Sequence, residues 1–227
     1  MSAETAEAIQ QQVSHQFEDI DQQNESYIVG MWTFLVTEIM FFGALFTCYF
    51  LFRYSYPTVF ATVSREHLDW RLGGLNTLIL LTSSLSMALA VRHSQLGQRA
   101  GALRCLAFTL FCAFGFLIVK AIEYSAKYHD HLIPGPFFHW TDVPGAPAIP
   151  PGKAELFVGI YFAMTGLHGI HVVVGILCIA TLMGLIATKS KVVQDYMPVE
   201  LVGLYWHFVD IVWIFLYPLL YLIDPKF

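Results

Sequence analysis

The sequence predicts an all-α fold, a polytopic membrane protein built as a bundle of five transmembrane helices, and three observations carry that prediction. Hydrophobic residues make up 56% of the 227 positions and charged residues only 13%, a balance foreign to soluble domains. Mean hydropathy is positive, +0.59. The apolar residues also gather in five stretches, at about 27–52, 72–91, 103–124, 156–188 and 201–223. Each is long enough to cross a hydrocarbon layer of ~30 Å, which takes about 20 helical residues.

Ahead of the first span, residues 1–26 form an acidic polar tail. Glu4, Glu7, Glu18, Asp19, Asp21 and Glu25 stand there without a Lys or Arg, so the net charge of -5 is concentrated in this tail. That balance excludes a basic nucleic-acid surface, and the tail reads as a solvated or partner-touching extension of the 27–227 transmembrane domain. It also lacks the positive n-region of a secretory signal, so the first span is expected to stay in the mature protein. Four cysteines, Cys48, Cys105, Cys112 and Cys178, show no CxxC spacing. They read as buried membrane thiols, not as a disulfide or a zinc site.

The first span holds one charge, Glu38, and ends at Arg53 before a loop at Pro57. The second is rich in small hydroxyl residues, with Asn76, Thr77, Thr82, Ser83, Ser84 and Ser86; such residues let membrane helices approach closely, so this span is expected inside the bundle. In the third, the apolar pattern runs on past Lys120, Glu123 and Lys127, whose spacings of three and four favour pairing along one helix face. That helix is expected to project out of the membrane, with Lys120 and Glu123 as an interfacial ion pair.

A break at 129–152 contains six of the ten prolines and reads as a stiff, irregular loop able to cap a partner. The fourth span is longer than a bilayer requires and must tilt or begin among the headgroups. The fifth carries His207 and Asp210 three residues apart on one face, with Tyr205, Trp206, Trp213, Tyr217 and Tyr221 as a bulky stripe. Five spans put the termini on opposite sides. The basic residues divide almost evenly between the two loop sets, so charge alone leaves the orientation open. No internal repeat is visible.

Polar groups at membrane depth mark function or tight packing. A carboxylate there costs at least ~2.5 kcal/mol on insertion scales, so Asp210 must face protein and is expected, with His207, to hydrogen-bond to other helices. Glu38 reads as a proton carrier, a lipid or ion ligand, or a neutral carboxylic acid held in the bundle, and is expected to be protonated. His168 and His171 share a helix face, with metal-ligand spacing, but zinc would need further ligands from another helix. No Glu-x-x-His motif for a di-iron site accompanies them. Haem would need two opposed histidines, drawn from His168, His171 and His207. Gly166 and Gly169 beside His168 suggest close packing instead of cofactor space, and these histidines are expected to hydrogen-bond to other helices and bind nothing. His129, Asp130, His131 and His139 in the proline loop read as interface groups beside Phe137, Phe138 and Trp140.

Taken together, these stretches resemble subunit III of the haem-copper oxidases, in the cytochrome c oxidase branch. The resemblance rests on Thr-Glu-Ile-Met-Phe-Phe-Gly around Glu38, Gly-Leu-Asn-Thr around Asn76 and Glu-Tyr at Glu123. It rests further on Thr-Gly-Leu-His-Gly-Ile-His-Val at 165–172 and Tyr-Trp-His-Phe-Val-Asp-Ile-Val-Trp at 205–213. All five spans are covered; the acidic tail and the proline loop lie outside. The resemblance implies a subunit with no cofactor of its own, packed on a catalytic subunit I that holds haems and copper, together with subunit II and possible further members of a respiratory supercomplex. It also implies a role in proton uptake, in holding phospholipid and in protecting the oxidase during turnover, with Glu38 as the family's membrane-embedded glutamate. Asn76, Glu123, His168, His171, His207 and Asp210 are implied to be structural. The first two helices of the seven-helix form are missing, as in the five-helix bacterial form, which puts the lipid cleft those helices help to build in question. The implied location is a bacterial inner membrane, with a cytoplasmic N-terminus and a periplasmic C-terminus. A quinol oxidase subunit III tends to carry Ser-Asp where this chain has Thr37-Glu38. A subunit associated with nitric oxide reductase, a haem-carrying electron-transfer protein and a transporter are the other readings; for the last, inverted repeats and broken helices are absent.

Overall fold

Asp19 decides where the first helix begins: its side chain accepts a hydrogen bond from the Gln22 amide at 2.7 Å, satisfying a donor that the first turn leaves free. The computed structural model describes residues 16–141, 148–189 and 195–223, and most of the acidic tail and the middle of the proline loop, 142–147, lie outside them. Six helices follow in order: α1 Ile20–Ser55, α2 Pro57–His67, α3 Trp70–Gln95, α4 Arg99–His129, α5 Pro151–Ala187 and α6 Met197–Tyr221. All but α2 are long and apolar enough to cross a membrane. The fold is thus all-α with five candidate spans.

Two differences from the sequence reading concern the first connection. α1 starts well before the apolar stretch because the Asp19 cap extends the helix into polar sequence. The segment after Pro57, expected as a loop, is a helix of 11 residues. Pro57 breaks α1 and then serves as the first residue of α2, where its missing N–H costs nothing. One face of α2, Val59, Phe60, Val63 and Ser64, is buried against the bundle.

α6 is the axis. Over its apolar window 56% of residues are buried inside the bundle, against 17% for α1, which leans on the outside and turns Trp32, Phe41 and Phe50 away from it. The hydroxyl-rich face of α3 meets α6 and α4 as its composition predicts. Ser83 Oγ accepts from Trp206 Nε1 at 3.1 Å, Thr77 Oγ1 accepts from Trp213 Nε1 at 3.1 Å, and Ser86 Oγ donates to the Cys105 carbonyl at 2.8 Å. At the far end of α6, where the last carbonyls have no helical partner, the hydroxyls of Tyr49 and Ser64 donate to the carbonyls of Leu219 and Leu220. The first two helices thereby cap the last one.

α5, with 37 residues, is about 55 Å long at 1.5 Å per residue and overshoots a ~30 Å hydrocarbon layer. Close packing occurs at glycines other than those flagged in the sequence. A Cβ on Gly169 would meet nothing within 4 Å and one on Gly166 only the Tyr124 hydroxyl at 3.9 Å, whereas one on Gly175 would stand 2.7 Å from the Trp206 ring. Of the four cysteines only Cys112 is buried; Cys48 is exposed on α1.

Candidate functional site: the polar groups inside the bundle

Glu38 projects from the middle of α1 toward α5, where His171 meets it: Nε2 of the imidazole is 3.1 Å from Glu38 Oε2. The other ring nitrogen, Nδ1, lies 2.9 Å from the Leu167 carbonyl one turn earlier. A carbonyl only accepts, so Nδ1 carries a proton. Nε2 therefore either accepts a hydrogen bond from a neutral Glu38 or, in the imidazolium, donates one to its carboxylate. Both side chains are mostly buried, with 19% and 14% of the Glu38 and His171 side chains exposed. Phe42 packs edge-on against the imidazole at 5.2 Å, and the Tyr205 hydroxyl donates to the His171 carbonyl at 3.1 Å. Glu38 thus has a partner that the first span alone did not disclose.

A second cluster lies deep between α4, α5 and α6. Lys120 Nζ donates to Glu123 Oε2 at 2.9 Å and to the Tyr221 hydroxyl at 2.6 Å. Glu123 Oε1 accepts from Tyr221 at 2.7 Å, from Tyr161 at 2.8 Å and from Lys127 at 3.4 Å. Lys127 also reaches the His67 carbonyl at the end of α2, 3.1 Å away. Lys120, Glu123 and Lys127 are only 6–7% exposed, so the pair expected from their spacing is present and is enclosed by the bundle. The spacing along α4 was read properly, but the tyrosines that enclose it come from α5 and α6. Lys120 is further faced by the Trp213 ring, 4.8 Å from its centroid, a cation–π arrangement suited to a desolvated ammonium.

The remaining polar residues divide. His207 Nδ1 is 2.7 Å from Ser84 Oγ, so it ties α6 to α3 as expected. Asp210 does not: neither carboxyl oxygen has a hydrogen-bond partner, although Ser84 stands beside it. His168 is completely buried, with both ring nitrogens unpartnered, between the rings of Phe116 and Trp213 at 5.5 and 5.3 Å. It does not bond to another helix, contrary to the sequence expectation. Asn76, 1% exposed, likewise leaves its side-chain oxygen unpaired.

Sequence reasoning passed over Tyr161 and Ser84 as partners. Ser84 was noticed only as one of many small hydroxyls, and nothing local marks Tyr161, since its contacts come from residues about forty and sixty positions away. Tyr221 did carry a signal, as part of an aromatic stripe whose polar tips need partners.

The model of the family described as Cytochrome c oxidase subunit III matches residues 15–131 and 153–224, leaving out the proline loop. Cytochrome c oxidase subunit 3 of Bacillus subtilis is 28% identical over 205 residues, covering 90% of each chain. Quinol oxidase subunit 3 of Bacillus spizizenii is 27% identical over 195 residues, 86% of each chain. Heme-copper oxidase subunit I+III of Aeropyrum pernix is 31% identical over 200 residues, which are 86% of this chain and 22% of that longer one. With its five apolar helices and a match that spans all of them, the chain belongs to the cytochrome c oxidase subunit III family.

Proposed function

We propose that the chain serves as a subunit without a redox centre in a bacterial respiratory oxidase of the cytochrome c branch, with the haems and copper held by partner subunits. One observation carries the first part: the three histidines on the spans face three different settings. His171 is engaged by Glu38 and its own helix, His207 by Ser84, and His168 by aromatic rings. A haem iron held by two histidines needs imidazoles that oppose each other. Among the described residues no group of three or more His, Cys, Asp or Glu side chains stands together as metal ligands.

Packing on subunit I is supported by the relative whose name joins subunits I and III. The Glu38–His171 pair, mostly buried yet near the outer face of α1, suits support of proton uptake by that partner or contact with a phospholipid headgroup, and the bundle suits protection of the oxidase during oxygen reduction. Residence in the bacterial inner membrane with the N-terminus cytoplasmic and the C-terminus periplasmic, alongside subunit II and any larger supercomplex, belongs to the same proposal.

Thr37-Glu38 favours cytochrome c as donor. The quinol reading stands beside it because a quinol oxidase relative is nearly as similar as the cytochrome c oxidase one. The test is to tag this chain, purify what co-purifies from native membrane, and measure oxygen consumption with reduced cytochrome c and with a quinol. Activity with cytochrome c is expected, and activity with quinol alone overturns the branch. Separately, the isolated chain should show no haem absorption band; a stoichiometric haem would sink the redox-free reading.

A further inference from the structure

Directly after α4 the chain folds back on itself in a closed turn, residues 131–139. The amides of His131 and Leu132 donate to the carbonyls of Tyr128 and Lys127 at 3.2 and 3.0 Å, that of Phe138 to Gly135 at 3.0 Å, and that of His139 to His131 at 2.9 Å. The Gly135 amide donates to Glu155 Oε1, on the first turn of α5, at 2.9 Å. Pro134 and Pro136 have no N–H to satisfy. Two residues take a positive φ, Gly135 at 134° and His131 at 54°; for a histidine the left-handed region is uncommon and persists where the surrounding structure imposes it. The turn has two sides. Leu132 is buried, and Phe138 and Trp140 pack against the core. Ile133 and Phe137 stay outside it, with Phe137 86% exposed, and together with Tyr128 the turn lines a cavity of about 120 Å³.

What lies against the outer side follows from α4. Its stripe of Phe111, Phe114, Ile118 and Ile122 is exposed and apolar, at helical spacings. Beyond Arg104 and as far as Ser125, the only charged residues of α4 are Lys120 and Glu123, and both are buried in the bundle. That stretch is about 31 Å long at ~1.5 Å per residue, which matches a ~30 Å hydrocarbon layer. Tyr128, exposed one turn later, then stands at headgroup level, where rings with polar tips collect, and the turn begins just after it. We propose that the 131–139 turn is a membrane-surface anchor whose Ile133 and Phe137 enter the lipid at the boundary between headgroups and acyl chains. A backbone whose amides are satisfied from within suits that boundary. Apolar side chains held on a rigid support bury area there with little loss of freedom. The turn falls almost wholly in the stretch that the family match leaves out, so the anchor lies apart from the shared bundle.

Photo-crosslinking tests this in the complex that co-purifies with the tagged chain. Phe137→p-benzoylphenylalanine keeps a large aromatic group at an exposed position; the same replacement at Ile133 is a second probe, and at Glu18, exposed ahead of α1, the reference. Each complex is placed in vesicles of phosphatidylethanolamine and phosphatidylglycerol and illuminated, and this chain is read by mass spectrometry. Phospholipid adducts at position 137 are expected several-fold above those at position 18, with adducts at position 133 as well. Adducts at position 137 to another protein subunit overturn the proposal and give the surface to a partner; a lipid yield no higher than at position 18 overturns it too. If the variant at position 137 fails to assemble, the comparison of positions 133 and 18 decides alone.

Discussion

Glu38 and His171 meet across two helices, placed so that one proton can lie between them. The Leu167 carbonyl claims Nδ1 of the imidazole at 2.9 Å, which leaves Nε2 facing Glu38 Oε2 at 3.1 Å. Neutral acid with neutral imidazole and carboxylate with imidazolium differ only in which atom carries that proton, and either form leaves the pair without net charge. Glu38→Gln retains a donor toward Nε2. We therefore expect unchanged haem spectra and an initial oxygen-reduction rate within a few-fold of wild type, with loss confined to sustained turnover. Oxygen consumption followed over many turnovers, with spectra before and after, checks this. Abolished initial activity in a fully assembled complex would make Glu38 an obligatory proton donor.

Ser84→Ala removes the partner of His207 and should cost about 1 kcal/mol, the usual net worth of one hydrogen bond, with up to ~3 kcal/mol if the ring nitrogen stays dry. A thermal melt of the complex is the readout. Thr181→Ala is the reference, since the Thr181 hydroxyl donates to the Leu177 carbonyl of its own helix. The idea fails if both substitutions behave alike.

Glu123→Gln strips the carboxylate that bonds both Lys120 and Lys127. Breaking a buried ion pair on one side costs about 3–5 kcal/mol, so this variant should lose much of its subunit content. Lys120→Met should also be severe. Combining the two should cost less than the sum of the single changes, because the residues share one network. Additivity within ~0.5 kcal/mol would show that the three groups do not act together.

Gly175→Ala pushes a methyl group to within 2.7 Å of the Trp206 ring, and neither ring nor helix can retreat easily from a packed core. A loss of about 1–3 kcal/mol is expected for such overpacking. Gly169→Ala, with open space around the new methyl, should be neutral or slightly stabilising through helix propensity. Melting temperatures of the two variants that coincide would contradict the packing described for α5 and α6.

The spans were legible because a bilayer demands continuous apolar runs, and Leu156 or Val209 announces its environment through its neighbours in sequence. Lys120 and Glu123 show the limit. Their spacing revealed that they pair, but burial depends on Tyr161 and Tyr221, which sequence separation hides. α2 was missed because eleven residues after a proline carry too short a pattern to separate a helix from a loop. Asp210 misled for a different reason: a carboxyl deep in a span must be reconciled with its surroundings, and sequence supplies that demand without naming what meets it. His168 belongs with it, since two histidines on one face read alike until one finds Glu38 and the other finds only rings.

The hydroxyls of Tyr49 and Ser64, which seal the final carbonyls of α6, bear on how the chain is made. A ribosome delivers α1 and α2 first, and their seat arrives last. Before α6 emerges from the translocon, α1 and α2 can meet α5 through Glu38–His171 and Phe60–Phe157, but the two hydroxyls still lack the carbonyls they cap. The last helix thereby closes contacts opened by the first two.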